Sequence, residues 1–345
     1  MSLSSSLPSL TSVPFSQVTL ITFDVDGTLV SCSKDPSITS TDEEEEGTAH
    51  ERAFSYAVGR VLGNGHPVPT ILSKALPTRM YRGSTDGLIL LRLAKATLGI
   101  EPSQAASKLE TLMSCMYQFI NTLDDAEIAR GIAPLPGVMD HLQTLATATT
   151  AITAPKQQVL CGLVTGNVEG IARRKMKALG IYQTGALSSP SLDQLERSWP
   201  GSDDIGFLGG FGSDFCSGNI DDESRNYLDR SEQLAIATRR AMTLLSSTDN
   251  DENRQLVRVV HVGDAPADVL AAKAFAERLV LRSNSQDGCY YPDSLCVGMV
   301  AVATGSYSAE ELRALAGNPI PGQWEPVVLE DGMADPNFLK ACGLY

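Results

Sequence analysis

Asp24 and Asp26 stand two residues apart in Phe23-Asp24-Val25-Asp26-Gly27-Thr28, directly after an apolar run, and Gly27 permits the backbone to bend there. Two carboxylates so close repel each other unless a cation lies between them or one is protonated. The pair suits phosphoryl transfer. One carboxylate attacks phosphorus to give an acyl phosphate; the other gives a proton to the leaving oxygen and then activates water. A hard cation between nucleophile and phosphate completes this chemistry, and Mg²⁺ fits an oxygen-only shell that keeps some waters. The same residues also make an ordinary strand-to-turn Asx motif, since Asp and Gly are turn residues.

Two later segments carry complementary chemistry. Thr165 ends the apolar run Gln158–Val164, and its hydroxyl, with the backbone N–H groups of Gly166 and Asn167 at a helix start, suits a phosphate; the alternative is a helix cap. Asp264 and Asp268 follow Leu256–Val262 in Gly263-Asp264-Ala265-Pro266-Ala267-Asp268. Asp264 is placed to bind the cation directly, and Asp268 to bind it through water or orient the site; the alternative is two acids complementing a helix N-terminus. A phosphate site also needs a fixed positive charge. Arg230, in Tyr227-Leu228-Asp229-Arg230-Ser231, is the choice, with Arg225, Arg239 and Arg240 as rivals.

These residues need elements that bring them together. Val18–Phe23, Gln158–Val164 and Leu256–Val262 read as buried strands, with further strand candidates at Ile205–Phe211, Arg278–Leu281, Met299–Ala303 and Val327–Leu329. Helical spacing lies between several of them; Val168, Ile171, Ala172, Met176 and Leu179 share one face, and Gly180 ends that helix. The alternation predicts an α/β fold, a three-layer core around a mainly parallel sheet. In such a sheet the strand C-termini line one crevice, so Asp24, Thr165 and Asp264 converge. From about Thr48 to Asn121 the spacing is helical throughout, with stripes at Ala53, Ala57, Val58, Val61, Leu62 and at Leu109, Leu112, Met113, Met116, Phe119. This predicts a helical insertion after the first strand, with Pro134 and Pro136-Gly137 marking the return. The expected division is a tail over 1–16, a core from 17–33 and 137–345, and an inserted domain over 34–136. The acidic run Asp42–Glu46, the Ala/Thr-rich stretch Ala146–Gln157 and the polar stretches 188–204 and 214–225 read as surface elaborations.

The chain has 345 residues and a net charge of −14, with 43% hydrophobic residues. That composition supports a large core and argues against nucleic acid, for want of a basic patch. It leaves room for a small anionic substrate in a local pocket. No apolar run is long enough to span a membrane, and the Ser-rich start lacks the pattern of a secretory signal. Seven cysteines without a CxxC pair favour reduced thiols and a cytoplasmic setting, and four scattered histidines argue against zinc. Oligomeric state is not legible.

Phe23-Asp24-Val25-Asp26-Gly27-Thr28-Leu29, Leu163-Val164-Thr165-Gly166-Asn167 and Val262-Gly263-Asp264-Ala265-Pro266-Ala267-Asp268 resemble, in order, the first, second and fourth motifs of the haloacid dehalogenase-like hydrolase superfamily. Val302-Ala303-Thr304-Gly305-Ser306-Tyr307-Ser308 looks like its phosphoglycolate phosphatase-like branch. The resemblance implies a Rossmannoid core with a helical cap of the C1 type. It implies Asp24 as nucleophile and Asp26 as general acid/base, with Thr165 on the phosphoryl group. Asp264 would bind Mg²⁺, supported by Asp268, and the main-chain carbonyl of Asp26 would be a further ligand. The third motif usually carries Lys, and this chain offers Arg230, which keeps the charge and changes the geometry. Tyr81-Arg82-Gly83-Ser84-Thr85-Asp86 resembles the cap segment that reaches the active site; there Arg82 or Thr85 would touch substrate, or the segment caps the next helix. The implied activity is a phosphatase acting on a small phosphorylated metabolite. A phosphosugar mutase or a non-catalytic binding protein on the same fold are the alternatives.

Overall fold

The structure, a computed structural model, describes residues 16–31, 47–64, 68–77, 81, 83–150, 157–187, 208–220, 222–247, 254–283, 291–292 and 295–344. The expected tail before residue 16, the acidic run, the polar stretch 188–204 and Arg82 lie outside the described residues.

The strands are β1 (Ser16–Phe23), β2 (Val30–Ser31), β3 (Ala133–Pro134), β4 (Gln157–Thr165), β5 (Gly209–Phe211), β6 (Arg254–Gly263), β7 (Cys296–Val302) and β8 (Trp324–Leu329). Six of them form one sheet in the order β5-β4-β1-β6-β7-β8, every pairing parallel. Its central strands bury apolar residues on both faces because helices cover both sides of the sheet. Alternation along β1 shows this directly: Ile21 and Phe23 enter one apolar cluster, Val18 and Leu20 the other.

The helices are α1 (Ala49–Val61), α2 (Asp86–Leu98), α3 (Pro102–Ala106), α4 (Leu109–Asn121), α5 (Asp125–Ala129), α6 (Val138–Thr150), α7 (Glu169–Ala178), α8 (Tyr227–Ser247), α9 (Pro266–Ser283), α10 (Ala309–Ala316) and α11 (Phe338–Ala341). Side chains of α6, α7 and α11 cover one face of the sheet. Those of α8, α9 and α10 cover the other. This is the expected three-layer α/β arrangement. Among the described residues no helix is long and apolar enough to cross a membrane.

The inserted helices α1 to α5 lie between β2 and β3, which pair antiparallel as a short stem. Both predicted stripes face a third cluster built from α1, α2, α4 and α5, with Ala53, Ala57, Val58, Leu112, Met113 and Met116 buried and the rest packed against it; the cluster also takes in Val168 and Ile171 at the start of α7. The insertion therefore packs directly on the helix that follows β4.

One expected strand is a helix. Arg278–Leu281 falls within the last part of α9. The β-prone run Leu279-Val280-Leu281 has only one side to bury: Leu279 packs on the core, while Leu281 is 73% exposed. Arg278 pairs with Glu232 of α8 at 2.6 Å and lies over the Phe275 ring, both natural for a helical turn.

Candidate active site

β1 is the first strand in sequence and sits between β4 and β6, so the chain leaves it toward one edge and returns to its other side. Such a switch point opens a crevice at the strand C-termini. Phe23 is in register with Leu163 of β4 and Val262 of β6, and the Asp24 N–H donates to the Val262 carbonyl at 2.9 Å. Asp24, Thr165 and Asp264 thus meet, as expected from their places at strand ends.

The loop after Asp24 is tight. Leu29 and Val30 donate to the Val25 carbonyl, and Gly27 to that of Val30. Gly27 has φ +90°, and a Cβ there would lie 2.3 Å from an Asp264 carboxylate oxygen, so glycine is required on both counts. Thr304 holds the Gly27 carbonyl at 2.6 Å, and the Thr28 hydroxyl donates to Asp264 Oδ1 at 3.2 Å.

Arg230, from the first turn of α8, reaches under this loop. Its Nη1 lies 2.8 Å from Asp24 Oδ1 and 2.8 Å from Asp268 Oδ1, and the arginine is 2% exposed. Its rivals are occupied elsewhere: Arg239 pairs with Glu232 and Arg240 with Asp214, while Arg225 lies in a short 3₁₀ turn before α8. His261 Nε2 contacts the same Asp268 oxygen at 3.2 Å, and Thr22 Oγ1 contacts His261 Nδ1 at 3.0 Å. The second Asp268 oxygen accepts from Ala265 N–H at 3.1 Å. Both oxygens of Asp268 are therefore engaged, and it acts as the anchor of Arg230.

The electrostatics follow. Burial pushes the Asp24 carboxyl up to about 6; Arg230 opposes the rise, and Asp268 and Asp26 add to it. Burial, then Asp268 and Asp24, hold Asp264 well above the usual carboxylate range. At Asp268 burial acts upward too, but Arg230 and His261 outweigh it and the carboxyl is lowered. Asp24, Asp264 and Asp268 each offer an oxygen within 4.8 Å of the others, all buried. Three carboxylates there meet one guanidinium, whose Nε has no hydrogen-bond partner among the described residues.

Asp26 points to a different set of groups. Lys175 Nζ, from α7, lies 2.8 Å from each of its oxygens, and Asn167 Nδ2 donates to it at 3.0 Å. Burial would raise this carboxyl, yet the Lys175 charge first, with hydrogen bonds from Lys175 and Asn167, brings it down to about 2. Lys175 also contacts Asn167 Oδ1 and His50 Nδ1, each at 3.0 Å. His50 begins α1, and its Nε2 lies 3.1 Å from Asp86 Oδ2 at the start of α2. The sequence pattern does not single out Lys175 or His50, and it carries Asp86 only as the end of the segment Tyr81–Asp86. The signal was present for one of them: Lys175 falls on the apolar stripe of α7, between Ile171 and Met176, where a lysine is out of place unless its charge is matched.

The remaining expected residues are placed as follows. Thr165 is 1% exposed and its hydroxyl accepts from Asn167 N–H at 3.3 Å. The Gly166 carbonyl accepts from Asp86 N–H at 2.8 Å, and a Cβ on Gly166 would lie 2.5 Å from the Ser84 carbonyl. The segment Gly83–Asp86 therefore lies against the loop after β4. Thr85 caps α2 through Leu88 N–H at 3.4 Å and faces Cys216 Sγ at 3.5 Å.

No protein-family model matches the chain, and no curated protein does. Among solved structures, L-2-haloacid dehalogenase from Xanthobacter autotrophicus is similar at 13% sequence identity and a TM-score of 0.33, covering 93% of this chain and 97% of that one. The same enzyme with chloropropionic acid covalently bound is similar at 13% identity and a TM-score of 0.32, covering 94% of this chain and 98% of that one.

Proposed function

We propose that the protein is a Mg²⁺-dependent phosphatase that hydrolyses a small phosphorylated metabolite through an aspartyl phosphate on Asp24. The observation that carries this reading is the juxtaposition of Asp24, Asp264 and Asp268, with oxygens within 4.8 Å, and a further carboxylate, Asp26, two residues from the nucleophile.

The residues present fit a hard cation. The donors are all oxygen, buried negative charge exceeds the positive charge facing it, and Asp264 sits in a cradle that a Cβ on Gly27 or Gly305 would fill, at 2.3 Å and 1.8 Å. Asp24, Asp264 and the main-chain carbonyl of Asp26 would hold it. When bound, Mg²⁺ would supply charge neutralisation for the nucleophile and the phosphoryl group. Arg230 fixes the rotamer of Asp24, whose carboxylate would attack phosphorus. Asp268 and His261 keep Arg230 in place. Thr165 and the loop through Asn167 would receive the phosphoryl oxygens. Held ionised, Asp26 is in the form that accepts a proton from the water attacking the acyl phosphate. For a poor leaving group the same carboxyl must first gain a proton, whereas p-nitrophenolate departs without one. The inserted helices would act as the cap over the substrate.

Dehalogenation, the activity named for the similar structures, is a different chemistry. A halide leaves unprotonated, so that chemistry would give Asp26 no proton to move at departure and Asp264 no cation to hold. The test is hydrolysis of p-nitrophenyl phosphate with and without Mg²⁺, beside Asp24→Asn as the blank. Metal-dependent turnover absent from the blank supports the reading; turnover equal to the blank across metals and pH overturns it.

A further inference from the structure

Lys175 is 5% exposed on its side chain and makes contacts that match its donors. An ammonium has three protons and no acceptor. Here they meet the Asp26 carboxylate, Asn167 Oδ1 and His50 Nδ1. A ring nitrogen facing an ammonium must present its lone pair, so His50 carries its proton on Nε2 and donates it to Asp86 Oδ2. That same Asp86 oxygen accepts from Val168 N–H at 2.8 Å, the residue that opens α7, and Asp86 N–H is tied to the Gly166 carbonyl. The Asn167 amide is oriented as well: its oxygen accepts from Lys175 and its nitrogen donates to Asp26. Each of these donors has one acceptor that suits it, which selects a single arrangement of the group.

The chain of contacts crosses from the insertion to the core. Asp86 and His50 belong to α2 and α1; Lys175 and Asn167 belong to the segment after β4; Asp26 belongs to the loop after β1. Nothing in the chemistry of Asp24 needs this array, because Arg230 already serves the nucleophile. Its outlet is Asp26.

We propose that Lys175, backed by His50 and Asp86, is the positioning residue that fixes the Asp26 carboxylate for attack of water on the acyl phosphate, so that the insertion sets the geometry of the second half-reaction. This rests on the phosphatase reading above. For a leaving group that needs no proton, it makes Lys175 act on breakdown of the phosphoenzyme rather than on its formation. With p-nitrophenyl phosphate the first irreversible step is release of p-nitrophenolate, which needs no proton. The two half-reactions therefore separate in kcat and kcat/KM.

The experiment is steady-state and rapid-quench kinetics of Lys175→Met and His50→Ala with p-nitrophenyl phosphate and Mg²⁺. The expected result for Lys175→Met is a kcat lowered at least about tenfold, a fraction of the roughly 10²–10⁴-fold that a well-placed general base contributes, while kcat/KM falls far less. A burst of p-nitrophenolate close to one per enzyme should precede the slow phase. His50→Ala should show the same split at smaller amplitude, and it decides the matter if Lys175→Met does not fold. Parallel loss of kcat and kcat/KM without a burst overturns the proposal, because a structural defect merely lowers the active fraction. Wild-type turnover no greater than that of Asp24→Asn would instead overturn the phosphatase reading itself.

Discussion

Replacing Asp24 with asparagine should stabilise the metal-free protein near neutral pH while removing its chemistry. Asp24 is 5% exposed, and burial raises its carboxyl from 3.8 to about 6. A folded-state value above the unfolded one means that the fold favours the protonated acid. The associated stability is fully present below about pH 4 and is lost as pH rises through about 6. A rise of about two units at ~1.4 kcal/mol each makes the ionised carboxylate ~3 kcal/mol less favourable than the neutral acid above that window. Asparagine copies the neutral shape and keeps an oxygen for Arg230, which retains Asp268 as its ionic partner. The variant should gain about 1–3 kcal/mol, or several degrees in Tm at roughly 2–4 °C per kcal/mol. The assay is thermal unfolding of both proteins in a chelator, near neutral pH and again near pH 4. The advantage should shrink to nothing at the lower pH. A variant that melts below the wild type near neutral pH, or whose advantage is independent of pH, would refute the reasoning.

Arg230→Met leaves Asp24 and Asp268 buried without their shared guanidinium, so the urea midpoint should fall by the equivalent of about 3–5 kcal/mol; an unchanged midpoint would deny Arg230 its place in the charge balance. Gly305→Ala puts a methyl group where an Asp264 oxygen lies 1.8 Å away, so Asp264 must move. Mg²⁺ should raise the Tm of the wild type, and that variant should lose most of the rise, read by scanning calorimetry. An equal rise in both would exclude Asp264 from the cation site.

The core of this arrangement was legible in the sequence because buried parallel strands write themselves as short apolar runs, and the residue at the end of each run stands at the crevice. Asp24, Thr165 and Asp264 were found that way. Arg230 was chosen from four arginines in one region, and only tertiary geometry separates it, since Arg239 and Arg240 find carboxylates on other sides of α8. Lys175 and His50 lie on helices, where sequence distance from Asp26 says nothing of spatial distance. His261 is one of four scattered histidines that argue against zinc, yet a histidine inside Val259-Val260-His261-Val262 must have a buried partner, and Asp268 is that partner. The misread strand at Arg278–Leu281 has the opposite cause: local β propensity there yields to an 18-residue helix already anchored on the core by Val269, Ala272, Phe275 and Ala276.

The role of Asp24 is tested most directly by mass spectrometry of protein quenched in acid during turnover of p-nitrophenyl phosphate with Mg²⁺. The peptide spanning Asp24 should carry one phosphoryl group on that carboxylate, labile to hydroxylamine and absent from Asp24→Asn. Active enzyme with no phosphorylated residue under single-turnover trapping, or with the group on another side chain, would contradict it.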